Sequence, residues 1–417
     1  MLVDNGVHGD SRVQKVARSA ADAGWDVTLI GLSPDTAEHH WNIGAAQVRL
    51  IPVPRRSRGR AYQFRRPWLR GPLAYPPGGL AGQRMQQIRA WRADLAMRAL
   101  ELDTAPGTAH PLRRAALRGE LFAAQVLGRW VRLRDRQLWR ARERRRRFDG
   151  RRDVVAMRFW QAVRKDKAWR RLEPPLWDWE LAYAPVLDEL TPDLIHAHDF
   201  RMLGVGARAA IRARAAGRSV KLVWDAHEFL PGLKPRRNDV RWMPAHVAYE
   251  REHSKYADAV ITVSDELATL LQRQHDLPEL PAIVLNAPGV ADATPPPDAP
   301  PPPDLRQLCG VGHTTKLVVY SGAAAPQRGL DIMVEALPRI PDLHVAFVVN
   351  APEGPYLLSL IARAQQLGVA DRMHVLPYVH HWQVVPLLAG ADAGVIPIHH
   401  WPNHEIALIT KFFEYSH

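Results

Sequence analysis

The sequence predicts an α/β protein of two doubly wound domains facing one another across a cleft. Three observations carry that expectation. Short β-rich runs alternate with helix-favouring stretches along most of the chain, the pattern of parallel sheets covered by helices. A proline-dense spacer at 288–303 divides the alternation in two, with seven prolines in the nine residues 295–303. The loops that follow the runs hold glycines, histidines and charged side chains, as the C-terminal edges of such sheets do.

Each element has local grounds. An amphipathic stretch at 12–23 stops at Gly24, and strands follow at 27–30 and 48–53, the second ending before Pro54. Between 55 and 180 Ala, Leu, Gln and Arg dominate, and helices are expected near 82–102, 111–147 and 152–171. Alternation resumes with strands at 194–197, 220–224, 260–263 and 283–285. Helices at 202–216 and 245–256 separate the first three, and Ser264 is placed to cap a helix at 265–274. Beyond the spacer, strands at 317–320, 344–349, 374–377 and 394–398 alternate with helices at 331–340, 355–367 and 384–390. The domains are therefore set at 1–287, with 55–180 as an insert, and at 304–417.

Composition narrows the class. The chain has 417 residues and one cysteine, Cys309, so it forms no internal disulfide and suits a reducing cytoplasm. No apolar run reaches the length of a spanning helix, and the first residues lack a signal-peptide pattern. The net charge of +13 is concentrated: residues 55–180 hold 32 Lys and Arg against 12 Asp and Glu, and the remainder is mildly acidic. Eight of the 14 tryptophans share that insert. Arg-rich helices interleaved with Trp130, Trp139, Trp160 and Trp169 fit an anionic membrane surface first, a plain solvated helix second, and nucleic acid third.

Chemistry concentrates in a few strings. After the strand at 317–320 comes Ser321-Gly322-Ala323-Ala324-Ala325-Pro326-Gln327-Arg328-Gly329, where a glycine turn, a guanidinium and a helix start favour a phosphate. Near the other end, Lys411 and Glu414 lie three apart on an expected helix and share a face. Trp224-Asp225-Ala226-His227-Glu228 puts an imidazole between carboxylates at a strand end. His196-Ala197-His198-Asp199 has metal-like alternation, but the sequence supplies no further ligands, so a structural role is preferred. The loop 4–13 contains Gly9 and Arg12 and lacks G-x-G-x-x-G.

These strings, in this order, resemble the family 4 glycosyltransferases over about 1–54 and 183–417. The resemblance implies the GT-B fold of two Rossmann-like domains. It implies that Gly322, Arg328, Gly329, Lys411 and Glu414 grip a nucleoside-diphosphate sugar as co-substrate. Arg328 and Lys411 would meet the diphosphate without a metal, and Glu414 the ribose. Asn403 and Glu405 are the candidates for the sugar contact, because Ile406 stands where relatives with the Glu-x7-Glu form carry their first Glu. Ala323 and Ile409 also depart from the family pattern, which has Arg or Asn and Pro there. His227 and Glu228 are expected beside the reacting sugar or acceptor, with Gly9 and Arg12 facing the cleft.

The resulting expectation is a retaining transfer to a hydroxyl acceptor, either a glycan or a lipid-linked one, in envelope or exopolysaccharide synthesis. The enzyme would be cytoplasmic, or peripheral on the inner face of the membrane. Other enzymes of the same fold, an epimerase or a phosphorylase, are the rival reading. A non-catalytic membrane- or nucleic-acid-binding protein on a degenerate fold is another. The pattern also reads as a fragment, with the second domain incomplete.

Overall fold

The structure, a computed structural model, describes residues 1–54, 71–104, 111–234, 238–287, 295, 299–406 and 409–416. Most of the proline-rich spacer lies outside these residues, as do 55–70 of the basic insert and Ala407, Leu408 and His417 of the closing motif.

The first domain opens with α1 (Ser11–Asp22), β1 (Thr28–Leu32), β2 (His39–Ile43) and β3 (Ala46–Ile51). Asp10 caps α1 by accepting from the Val13 amide. The insert follows as α2 (Leu80–Thr104), α3 (Pro111–Arg146), α4 (Arg151–Arg164) and α5 (Trp169–Leu172). Then come α6 (Leu176–Leu190), β4 (Leu194–His198), α7 (Asp199–Ala215), β5 (Lys221–Ala226), α8 (Trp242–Ser254), β6 (Ala259–Thr262), α9 (Asp265–His275) and β7 (Ala282–Ile283). The second domain contains α10 (Leu305–Cys309), β8 (Lys316–Ser321), α11 (Asp331–Ala336), β9 (Leu343–Val349), α12 (Pro355–Gln366), β10 (Met373–Pro377), α13 (His381–Leu388), β11 (Ala393–Gly394), α14 (Pro402–Ile406) and α15 (Thr410–Ser416).

In the first sheet β1 pairs in parallel with β3, and β4, β5, β6 and β7 run in parallel order. Leu2 joins these two halves by bridging to Ile30 of β1 and Ala197 of β4. Its amide donates to the His196 carbonyl at 2.8 Å, and its carbonyl accepts from the His198 amide at 3.0 Å. The chain therefore leaves residues 1–3 first to one side and later to the other. The loops after Val3 and after β4 flank that switch point, where such sheets bind ligands. The second sheet is all parallel in the order β10-β9-β8-β11, and its switch point lies between β8 and β11. Both sheets are covered on both faces. Leu2, Ile195, Leu222 and Trp224 pack under α7 in the first, and Tyr320, Val345 and Phe347 under α11 and α12 in the second. Each such buried side chain contributes roughly 1.5–3 kcal/mol of transfer free energy.

Several expectations need correction. His39–Ile43 forms an antiparallel edge strand against β3, with Gly44 at φ +59° in the turn. Its His, Trp and Asn give a weak strand signal, and packing on β3 overrides it. The helix expected at 152–171 breaks at Lys165 (φ +47°) into a short turn before α5. α6 was not anticipated, because Pro174, Pro175 and Pro185 obscure its period; Pro175 instead sits at its N-cap. The strand expected at 394–398 ends at Gly394, beyond which Val395 keeps one backbone bond to Val319.

Candidate active site

A cleft of about 490 Å³ opens between the two switch points. Gly9, Gln14 and Lys15 line it from the start of α1, and Gly322, Lys411 and Glu414 line it from the second sheet. The local backbone explains why these residues converge. Gly322, just after β8, has φ +126°, and an added Cβ would collide with the Lys411 ammonium and Cε. Glycine is thus required for the Lys411 side chain to lie across the end of β8. Tyr415 fixes the helix that carries Lys411: its hydroxyl accepts from the Ser321 amide at 3.1 Å, and its ring covers Gly394. At Gly329 (φ +65°) a Cβ would strike the Pro397 carbonyl, so the turn containing Arg328 lies against the segment after β11.

The charges in this cleft are enclosed and incompletely satisfied. Enclosure lowers the Lys411 pKa; Glu414 opposes that shift and Arg328 adds to it. Enclosure raises the Glu414 pKa, against the pull of Lys411 and Lys15. Glu414 Oε2 is buried without a hydrogen-bond partner among the described residues. A buried acceptor left open costs about 1–3 kcal/mol, which a ligand hydroxyl would recover. Lys411 beside Gly322 and Lys15 on the facing wall favour an anion, and the free carboxylate oxygen favours a donor such as a hydroxyl.

A second cluster fills the first domain's switch point. Asp225, at the end of β5, is fully buried. Arg12 grips it with both Nη2 (2.7 Å to Oδ1) and Nε (3.0 Å to Oδ2). His198 Nδ1 lies 3.3 Å and His196 Nε2 3.4 Å from Asp225 Oδ2, and His227 Nε2 lies 3.2 Å from Oδ1. Burial alone would raise the Asp225 pKa, yet the neighbouring His196, His198 and His227 imidazoles hold it well below the ordinary value. Burial drives His198 down to about 4, so it is neutral. Burial also pulls His227 down, but the Asp199 and Asp225 carboxylates outweigh it and lift the imidazole to about 9. Arg12 Nε also lies 3.1 Å from His227 Nε2, but a protonated ring cannot accept there, so the guanidinium proton belongs to Asp225.

Asp199 holds a left-handed φ of +60°, a conformation Asp tolerates and that is often found at sites. Enclosure raises its pKa to about 7, while His227, 3.6 Å away, opposes the shift. Its side chain keeps 32% of its surface open, so water tempers that enclosure. Glu228 is exposed by area but hemmed in by surrounding protein, which raises its pKa.

His196, His198 and Asp225 have ligand atoms within 4.8 Å of one another, a spacing compatible with a metal ion. Arg12 already spans both Asp225 oxygens, however, and its charge would repel a cation placed there. The group is therefore better described as a neutralising network.

The family model described as Glycosyltransferase Family 4 matches residues 139–287, and the model described as Glycosyl transferases group 1 matches 305–405. The chain belongs to the family 4 glycosyltransferases. The D-inositol 3-phosphate glycosyltransferase of Mycolicibacterium gilvum is 26% identical over 223 residues, 52% of this chain and 48% of that protein. The enzyme of the same name from Xylanimonas cellulosilytica is 28% identical over 228 residues, 52% of each chain. The chain thus spans about half the length of the curated relatives it matches. Sucrose-phosphate synthase from Thermosynechococcus elongatus superposes with a TM-score of 0.53 at 13% identity, over 96% of this chain and 76% of that one, which shows the GT-B fold. The first model's match begins inside α3, so the family likeness reaches further into the insert than the motifs indicate.

Against this family frame the predicted residues separate. Gly9, Gly322, Lys411 and Glu414 share the cleft, and Arg328 acts electrostatically on Lys411 from beside it. His227 and Glu228 belong to the Asp225 cluster. Arg12 turns inward to that cluster and does not line the cleft. Asn403 is buried against the first domain, where its Oδ1 accepts from the Phe229 amide at 2.8 Å. Glu405 is exposed and pairs with His400. Sequence reasoning missed the roles of Asp225, Asp199 and Lys15. Asp225 and His227 stand two apart at a strand end, a same-face spacing that was the available signal for Asp225.

Proposed function

We propose that this glycosyltransferase moves a sugar, with retention, from a nucleoside-diphosphate sugar to a hydroxyl acceptor. The observation that carries this reading is the cleft where Lys411 and the unpartnered Glu414 oxygen face the glycine turn after β8. Lys411 and Arg328 bind the diphosphate and stabilise charge on the departing nucleotide without a metal. Glu414 accepts from the ribose hydroxyls. Gly9 leaves the backbone open on the opposite wall.

His227 and Glu228 lie on the acceptor side, near the reacting sugar. A cationic His227 held by Asp199 and Asp225 supports developing negative charge there. The acceptor is a glycan or a lipid-linked hydroxyl of envelope or exopolysaccharide synthesis. The relatives' names, which specify an inositol phosphate, fit a polyhydroxyl acceptor.

Thermal shift across UDP-, GDP- and ADP-sugars tests the donor site, since a ligand bound to the native state raises its melting point. One of these should stabilise the wild type. Lys411→Ala should weaken its binding roughly tenfold to a hundredfold, the worth of a charge-assisted contact. Unchanged affinity in that variant would remove Lys411 from the site. Donor turnover with and without acceptor separates transfer from epimerisation or phosphorolysis; conversion of donor alone would favour the latter pair.

A further inference from the structure

We propose that the hairpin of α2 and α3 docks the protein on an anionic lipid surface, through one face of α3. The inference stands apart from the donor-site reading and uses none of its residues.

α3 runs for 36 residues, roughly 54 Å at 1.5 Å per residue. One face packs inward through Leu117, Ala124, Val131 and Leu138, the first two in a cluster with Leu95 of α2. A different face is apolar and open. Leu112, Phe122, Val126, Trp130 and Leu133 are 85%, 66%, 45%, 41% and 44% exposed. At 3.6 residues per turn these five fall within an arc of about 80°. Arg118, Arg129 and Arg136 are exposed along one rim of that arc, and Arg140 and Arg144 fall within it nearer the end of the helix. No acidic residue of α3 lies within the arc, and Glu143 lies just beyond that rim.

A merely solvated helix has no physical reason to cluster five large apolar side chains on open surface, where each leaves apolar area in water. A bilayer interface accounts for both features: the apolar arc enters the headgroup–acyl boundary and the arginines meet lipid phosphates. Beside Trp130, a groove of about 460 Å³ between α2 and α3 is lined by Trp91 with Arg84 and Arg134. Aromatic rings with a polar edge settle at that depth. Among the described residues no helix is long and apolar enough to cross a membrane, so the contact is peripheral.

The test is flotation of the full chain with phosphatidylcholine vesicles, with and without phosphatidylglycerol. Binding is expected only with the anionic lipid and should fall at high salt. Arg118→Gln/Arg129→Gln/Arg136→Gln should weaken partitioning on the order of a hundredfold. Phe122→Ser/Val126→Ser/Leu133→Ser should abolish it, whereas Leu358→Ser, at an exposed apolar position on α12, should not. Circular dichroism and melting points of the variants check that they fold. No flotation with anionic vesicles, or flotation that survives both triple variants, overturns the proposal. So does a concentration-dependent dimer, or retention of an RNA oligonucleotide, that the apolar triple variant abolishes while vesicles fail to bind.

Discussion

At the scale of the residue, Asp225 organises the first domain's switch point. One carboxylate meets Arg12 and three imidazoles, and of these only His227 keeps appreciable access to water. Asp225→Ala would leave Arg12 buried and uncompensated, at a cost of about 3–5 kcal/mol in urea denaturation. Loss of less than 1 kcal/mol would show that the network carries little weight. His227 adds a pH signature. Its pKa in the folded state, about 9, exceeds its ordinary 6.5, so the folded form binds the proton more tightly. That stabilisation is complete below about pH 6.5 and is lost as pH rises through about 9. Denaturation from pH 6 to 10 should show the decline, and His227→Gln should flatten it; an unchanged slope would remove His227 as its source. The sequence shows the His–carboxylate adjacency but not the grip of Arg12, because 213 residues separate that arginine from Asp225. Long-range pairing of this kind has no local signature.

At the scale of the element, the short helix α15 and the turn at Gly329 build the cation side of the cleft. Gly329→Ala would force a methyl onto the Pro397 carbonyl at a positive φ. A loss of at least about 1 kcal/mol is expected, with weaker nucleotide binding as Arg328 shifts. Wild-type melting and wild-type affinity together would show that this turn tolerates repacking. Strands β8 and β9 were legible because each is a run rich in β-branched and aromatic residues closed by a turn signal, and β10 because a short apolar run ends at Pro377. β2 was not, since polar and aromatic side chains on an edge strand take their conformation from the neighbour. The spacing of Lys411 and Glu414 was legible as a shared helical face. The departure of Asn403 and Glu405 from the cleft was not, because it depends on how α14 meets the other domain.

At the scale of the whole molecule, the domains touch through α14. Asn403 accepts from the Phe229 amide, and the Ser264 hydroxyl donates to the Ile406 carbonyl at 2.5 Å. Asn403→Ala would leave the Phe229 amide without this acceptor, at a cost of about 1–3 kcal/mol. Calorimetry should then resolve two transitions more widely separated than in the wild type. A single unchanged transition would mean that the domains are coupled elsewhere. The two-domain plan was legible from the alternation and the spacer, whereas the join made by Leu2 was hidden, since three residues give no periodicity to read. That join constrains how the protein folds. Leu2 must pair with Ala197, so its partner strand leaves the ribosome nearly two hundred residues later. Loop closure of that span is slow compared with the local packing of α2 on α3. The helical hairpin should therefore protect its amides early in a pulsed hydrogen-exchange experiment. The β4 amides that pair with residues 1–3 should gain protection only later.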